Sequence, residues 1–401
     1  MLEELFYFHQ KITEYIPLHF KRYLFEEVNW SLHAICLTGA RGVGKTTLLL
    51  QYYHQQYNDV EKCLYVSADN VVVATKGLLN VATEYFKYGG EALIIDEIHK
   101  YPLWQVELKN ILDIFKKKQI LISGSSALEL KMGKTDLSRR VVYYSLKGLS
   151  FREYLMLAEN QPHAALTLAE ILERHIPLAQ KISVTSPILK HFRNYLAQGY
   201  YPFFLEGEAV YFTKLINVIE KILYEDVSAV SNIKQSNVIV LKKILWLIAT
   251  SCPFYANIEQ MSRELGISKP YVYVYLEYLE NAELIYGLRS RKKGYKLVRK
   301  PEKLFLENTN LLFALNNNLK TESELGTVRE TFFVNQVKKE TGLTLSDQGD
   351  FATQDQFIFE VGGKNKDFSQ IKNLKNAYVA ADNIEIGYGN KVPLYLFGFL
   401  Y

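Results

Sequence analysis

Cysteine is scarce in this chain, with Cys36, Cys63 and Cys252 the only three among 401 residues. They sit at no metal-ligand spacing and cannot form an even disulfide set, so neither a disulfide scaffold nor a zinc site organises the fold. Such usage fits a reducing, cytoplasmic compartment best. Long apolar runs are missing too. The most hydrophobic window, Val238–Ala256, is broken by Lys242, Lys243, Thr250, Ser251 and Pro253, too polar for a bilayer span, so no membrane partner is expected. No basic region precedes an apolar stretch at the start, which reads against a signal peptide. Repeats and low-complexity tracts are absent, and so is an Asn-Lys-x-Asp motif of the kind that specifies guanine. Net charge is small, +4, but uneven: residues 289–303 hold eight Lys/Arg against one Glu, a local +7.

What remains is an ordinary globular composition, 48% apolar and 22% charged, with length enough for two or three domains, each with its own core. The 29 tyrosines read as half-buried packing.

The informative stretch is Gly39-Ala-Arg-Gly-Val-Gly-Lys-Thr46, which fits G-x-x-x-x-G-K-[ST]. It follows a short apolar run of strand type, Ala34–Thr38, and precedes an amphipathic segment, Thr46–Tyr53. A glycine-rich turn between strand and helix wraps backbone N–H groups around phosphates at the positive end of a helix dipole. Residues Gly39, Ala40, Arg41, Gly42, Val43, Gly44, Lys45, Thr46 and Thr47 are therefore expected to cradle a nucleotide. Lys45 would reach the β- and γ-phosphates, and Thr46 would ligate Mg²⁺.

Lys62–Asp69 reads as a second buried strand, and Ala92-Leu-Ile-Ile-Asp-Glu97 as a central strand delivering two carboxylates to its tip. In open parallel sheets ligands bind at that edge. Asp96 would hold the Mg²⁺ shell, directly or through water, and Glu97 would take the proton from the attacking water. After a helix over 103–117, Gln119–Ser126 is a strand ending in hydroxyls. Ser123 or Ser125 would face the γ-phosphate, as in ATPases with a strand added between the P-loop and Mg²⁺ strands. Arg139 and Arg140 are either a finger onto a neighbouring subunit's phosphate, which would imply a homo-oligomer, or a carboxylate clamp.

GARGVGKTTLL, LIIDEIHKYPLWQVELKNILD, LISGSSALEL and DLSRRVVYYSLKGLSFREYL, in that order, resemble the AAA-type ATPases of bacteria and archaea whose C-terminal half is a domain of unknown function. The resemblance extends to Gly199-Tyr-Tyr-Pro-Phe-Phe204, Phe359–Lys366 and Pro393–Tyr401. It implies an α/β fold: a P-loop parallel sheet flanked by helices, then a helical lid, a winged helix and a C-terminal α/β endonuclease-like domain. The expected division is 1–30 helical lead, 31–149 ATPase core, 150–235 lid, 238–303 winged helix and 304–401 endonuclease-like domain.

Ser150 and Glu153 form a capping-box pattern that starts a helix at 151. Further on, Ile258–Leu265, Gly266-Ile-Ser268 and Lys269–Leu279, with Pro270 in the first turn, read as helix-turn-helix. Strand-like 282–288 and 295–306 follow, with basic residues between. In a winged helix that binds DNA or RNA, Arg289, Arg291, Lys292, Lys293 and Lys296 would grip phosphates. The alternative is a protein-interaction module, because the second helix offers tyrosines more than Arg, Asn or Gln. In the last hundred residues Asp350 and Glu360 resemble the paired carboxylates of restriction-endonuclease-like folds. Gly362 stands where a phosphate-stabilising lysine is expected, and Lys364 lies two residues late, so the domain is expected not to cleave. Glu330 is either a helical partner carboxylate or a surface residue.

Two functions follow. One is a Mg²⁺-dependent ATPase, an ATP hydrolase coupled to nucleic acid. The other is a slow nucleotide-dependent switch that binds a protein partner.

Overall fold

The computed structural model describes residues 1–125, 136–184, 186–227, 235–251, 254–290 and 301–401. It divides into two compact units, Met1–Gly148 with Glu225–Asn232, and Leu149–Tyr224 with Ile233–Tyr401.

The first unit is built on five strands: β1 (Ala34–Thr38), β2 (Cys63–Ser67), β3 (Ala92–Asp96), β4 (Gln119–Ser123) and β5 (Val142–Ser145). They run parallel in the order β2-β3-β4-β1-β5. β1, β3 and β4 carry apolar residues without alternation because both faces of the sheet are covered, and Ile35, Leu37, Leu93, Ile95 and Leu121 are fully buried. β4 lies between β1 and β3, which brings Thr38, Asp96 and Ser123 to one edge of the sheet. Helices flank it at 45–56, 78–87 and 104–114.

The helix Leu2–Thr13 buries Leu5, His9 and Thr13, one stripe at a spacing of four. It covers the edge strand β2, where the His9 imidazole Nδ1 accepts the Tyr65 backbone N–H at 2.9 Å. An edge strand's outward N–H groups need such partners once covered.

In the second unit, Ser150 and Glu153 complete both bonds of the expected capping box, and Thr167 with Glu170 repeats it. Helices follow at Phe151–Glu159, Leu168–Ser183, Ile188–Gln198 and Glu208–Lys221. The Phe151 ring lies 5.2 Å from Phe192, 5.4 Å from Tyr195 and 5.9 Å from Phe399, so these helices share one core with the end of the chain. The buried Asn310 joins them by hydrogen bonds. Its Oδ1 accepts the Tyr200 N–H at 2.7 Å and the Tyr211 hydroxyl at 2.5 Å, and its Nδ2 donates to the Leu196 carbonyl at 2.8 Å.

Helices Ile258–Leu265 and Lys269–Asn281 meet across Gly266, whose φ of 67° is left-handed. Asn257 caps the first through the Gln260 N–H. Ser268 occupies the N-cap position of the second without a side-chain bond. β6 (Ile285–Leu288) then pairs antiparallel with β7 (Lys303–Leu306). The final sheet has the order β12-β11-β10-β9-β8. Its strands are β8 (Thr344–Leu345), β9 (Phe351–Ala352), β10 (Ile358–Gly362), β11 (Ala377–Ala381) and β12 (Lys391–Pro393). The last three are parallel, while β9 pairs antiparallel with both β8 and β10. Among the described residues no helix is long and apolar enough to cross a membrane.

Burial, with His54 close by, pulls the His9 pKa down to about 4. The unfolded chain takes up that proton near the ordinary value of about 6.5. Stability should therefore fall as pH drops from that value toward 4, by up to about 3 kcal/mol from this one group. Urea unfolding of wild type and His9→Gln across this range checks it, the variant being expected to show the shallower slope.

Candidate functional site

The glycine-rich turn follows β1. Gly39 has a φ of 142°, and a Cβ there would lie 2.2 Å from the Leu146 carbonyl oxygen. Gly42 and Gly44, at φ 87° and 100°, hold the left-handed backbone that feeds the helix Lys45–Gln56. Val43 is buried beneath the turn. The Lys45 ammonium folds back to donate to the Gly39 and Ala40 carbonyls at 2.8 and 2.9 Å. Thr47 is half-buried in the first turn of the helix. Arg22, from the N-terminal lead, carries no motif in the sequence but braces this loop. Its guanidinium donates to the Val43, Lys147 and Gly148 carbonyls at 2.5, 2.7 and 2.8 Å.

At the tip of β3 the Asp96 carboxylate is 4% exposed and collects three hydroxyls. Thr46 Oγ1 and the Tyr65 phenol each donate to Oδ2 at 2.8 Å, and Ser123 donates to Oδ1. Ser123 also accepts the Glu97 backbone N–H at 3.0 Å. Its hydroxyl is thus spent on holding the acidic pair. Ser125 is buried with its Oγ unpartnered, which leaves it the better fit of the two serines for a group that meets a ligand. Tyr65 went unread in the sequence because a tyrosine inside an apolar strand gives no signal. Burial, with Asp96 beside it, pushes its phenol well above the usual range.

Glu97 adopts a left-handed backbone, φ 49° and ψ 44°, as the strand turns into the 3-10 helix Ile98–Lys100. Its carboxylate is ion-paired with Lys100, which also donates to Asp69 at 2.7 Å. Arg41, inside the glycine-rich turn, reaches Glu225 at 3.0 Å and Asp226 at 3.1 Å. Asp226 is almost fully buried and lies 3.5 Å from His99 Nε2. Burial alone would raise its pKa, but His99 and the Arg41 charge outweigh that and hold it below the usual carboxylate range.

Arg140 forks onto Asp113, at 2.8 Å through Nε and 3.2 Å through Nη2. That is the geometry of a carboxylate clamp, while Arg139 is exposed.

The donor set tests the fit to a metal–nucleotide pair. Thr46 and Asp96 offer hard oxygens 2.8 Å apart, the class Mg²⁺ takes. The left-handed glycines and the Gly39 contact leave room for phosphate and none for a side chain. The residues present fit both groups.

In the second unit the residues proposed for nucleic acid are only partly placed. Arg291, Lys292, Lys293 and Lys296 lie outside the described residues. Arg289 is 44% exposed and sits 4.0 Å from Glu280. Lys303, counted in the basic run, is buried and paired with Glu330 at 2.6 Å, so one of the eight charges is not offered to a partner and Glu330 is no surface glutamate. Asp350 accepts the Val361 N–H at 2.8 Å. Glu360 is ion-paired with Lys366, not with Lys364. Among the described residues no group of three His, Cys, Asp or Glu side chains is arranged to hold a metal ion.

Residues 31–155 match the family model of the AAA domain. Residues 189–323 match the model of a domain of unknown function. An uncharacterized protein of Methanocaldococcus jannaschii is 32% identical over 286 residues, 67% of this chain and 59% of that protein. The chain therefore spans about three-fifths of that relative's length. Three solved structures are similar over part of the fold. AMPPCP-bound DnaA from Aquifex aeolicus is 16% identical, covers 69% of this chain and 88% of its own, and has a TM-score of 0.28. The S. cerevisiae Hsp104–ADP complex is 14% identical, at 64% and 37% coverage and a TM-score of 0.31. A DNA replication initiation factor is 13% identical, at 70% and 94% coverage and a TM-score of 0.27.

Proposed function

We propose that this protein binds ATP with Mg²⁺ and hydrolyses it, and that turnover is coupled to a second unit that contacts nucleic acid. One observation carries the nucleotide half: the P-loop helix hydroxyl of Thr46 rests 2.8 Å from the Asp96 carboxylate. Thr46 and Asp96 would hold Mg²⁺, which when bound neutralises charge on the β- and γ-oxygens. Lys45 leaves its loop carbonyls for the phosphate chain, exchanging neutral acceptors for charged ones. Tyr65 and Ser123 fix the Asp96 rotamer, and the Ser123 bond to the Glu97 N–H fixes where that residue turns out of β3. Glu97, released from Lys100, accepts the proton of the attacking water. Ser125 meets the γ-phosphate, and Arg139 would act across a subunit contact if the chain assembles with itself.

The nucleic-acid half is supported by the +7 run at 289–303 and by helices 258–265 and 269–281 followed by the β6–β7 pair, the element order of a winged helix. We read the C-terminal sheet as a binding platform without cleavage, because its carboxylates are spent on Lys303, Lys366 and the Val361 N–H. The switch reading keeps one argument: Glu97 is pinned by Lys100, which slows turnover in the resting state.

Four outcomes test this. Lys45→Ala should lose triphosphate binding, and Glu97→Gln should retain ATP while turning over on the order of 10²-fold more slowly. Equal turnover by wild type and Glu97→Gln removes Glu97 as the base. Lys100→Met should raise resting turnover severalfold by freeing the base, and a fall instead would show that Lys100 positions Glu97. DNA or RNA should stimulate wild-type turnover in a steady-state phosphate-release assay. No stimulation by either, with ATP hydrolysis intact, favours the protein-partner switch.

A further inference from the structure

The carboxyl ends of β10 and β11 carry a cavity of about 590 Å³ lined by Arg329, Gly363, Lys364, Asn365, Lys366 and Asn383. In sheets of parallel strands this edge is where ligands bind. Its lining holds three cationic side chains and two amides, and no carboxylate.

The carboxylates stand behind the lining and brace it. Glu360, 1% exposed, is paired with Lys366. Asp382 accepts from Arg329 Nε at 2.9 Å through one oxygen and from the Asn383 N–H at 2.7 Å through the other. Asp350 faces the Val361 N–H, and Asp367 turns onto its own Ser369. Cations held from behind present their remaining donors in a fixed arrangement, so little ordering is left for a ligand to induce.

Two further features indicate that an anion belongs here. Lys391 is 4% exposed, and its ammonium donates to the Lys364 and Lys366 carbonyls at 2.7 and 2.9 Å. It fixes the loop, and among the described residues this buried cation donates its hydrogen bonds to neutral carbonyls. Such a charge is costly unless an anion lies near. The glycines create the space. A Cβ on Gly362 would fall 2.8 Å from Lys366 Cβ and Cγ, so the Lys366 stem occupies the volume a side chain at 362 would fill. A Cβ on Gly363 would lie 3.4 Å from Arg329 Nη1. Lys364, exposed, stands at the rim.

We infer that this cavity binds a phosphate of a nucleic-acid backbone, with Arg329 and Lys366 as the fixed donors and Lys364 as the charge at the mouth. The inference rests on the nucleic-acid contact proposed above and names a site for it separate from the basic run at 289–303. A free phosphate or mononucleotide presents the same oxygens, and the experiment separates the two sources.

Full-length protein carrying Lys45→Ala, which removes the P-loop as a phosphate site, is titrated against fluorescein-labelled 20-mer duplex DNA and single-stranded RNA. Anisotropy is followed at several salt concentrations. Adding Lys364→Ala and Lys366→Gln should weaken binding about tenfold for each lysine removed. It should also flatten the duplex salt dependence by about 0.9 in slope per lost contact. Lys375→Ala, the same charge change off the cavity lining, should do neither. Binding unchanged in affinity and slope by the double substitution overturns the cavity and leaves the nucleic-acid reading standing. A parent protein that binds neither polymer overturns the nucleic-acid reading and, with it, this assignment. Inorganic phosphate or a mononucleotide that saturates the cavity more tightly than either polymer, in a manner lost with Lys364 and Lys366, reassigns it to a small phosphate ester.

Discussion

The Asp96 carboxylate is the point on which the first unit depends. It is buried at the end of β3, where a carboxylate needs hydrogen-bond donors, and three hydroxyls from three elements supply them. Thr46 brings the P-loop helix, Tyr65 brings β2, and Ser123 brings β4. A hydrogen bond to a charged acceptor contributes about 1.5–3 kcal/mol, so the same bonds that solvate the carboxylate fix the spacing of the strands around it. Ser123 extends the arrangement by one residue, because its oxygen also accepts the N–H of Glu97. One serine hydroxyl therefore links the Asp96 carboxylate to the backbone of Glu97.

The second unit depends on buried amides rather than on a charge. Asn310 satisfies the backbone around Tyr200 and Leu196, Asn308 reaches the Tyr201 hydroxyl, and Asn335 reaches the Glu307 carbonyl. Unpaired, each group would cost about 1–3 kcal/mol, so the segments that carry them are locked in register. This gives Gly199-Tyr-Tyr a physical role. Gly199 has no room for a side chain, since a Cβ would lie 2.5 Å from the Tyr195 ring, and the two tyrosines present their polar groups to the asparagines at 308 and 310. The motif serves packing, not chemistry.

How much of this was legible in the sequence follows from the range of each interaction. The parallel sheet could be read because strands buried on both faces write uninterrupted apolar runs. The P-loop could be read because phosphate binding demands glycines and a lysine at fixed offsets. The Ser150–Glu153 box was legible because both its bonds are local. What escaped was set by distant pairs. Arg22 meets carbonyls more than a hundred residues away, and Asp226 returns to the P-loop from beyond four helices of the other unit. The pairing of residues 149–224 with core partners after residue 300 went unread for the same reason. Lys366 is a subtler case. Counted along the chain it is six residues past Glu360 and four past Gly362, beyond Lys364, the lysine that the sequence offered. In space the chain turns after Gly362, and the later lysine lies over the glycine.

The glycine-rich turn balances its own positive charge. Arg41 and Lys45 place two cations beside a helix N-terminus, an arrangement that repels itself unless countered. The chain counters it from within: loop carbonyls take Lys45, and Glu225 with the buried Asp226 takes Arg41. A triphosphate therefore does not enter a vacant field of positive charge; it must exchange with these internal acceptors. The exchange is easy at Lys45, where neutral carbonyls yield to charged oxygens, and harder at Arg41, where one carboxylate is buried and also faces His99. Against the cost of burial, Asp226 is held by His99, Arg41 and Lys45 together, so a phosphate that drew Arg41 away would weaken that balance. Asp226 thus ties its own charge balance to the cation in the glycine-rich turn.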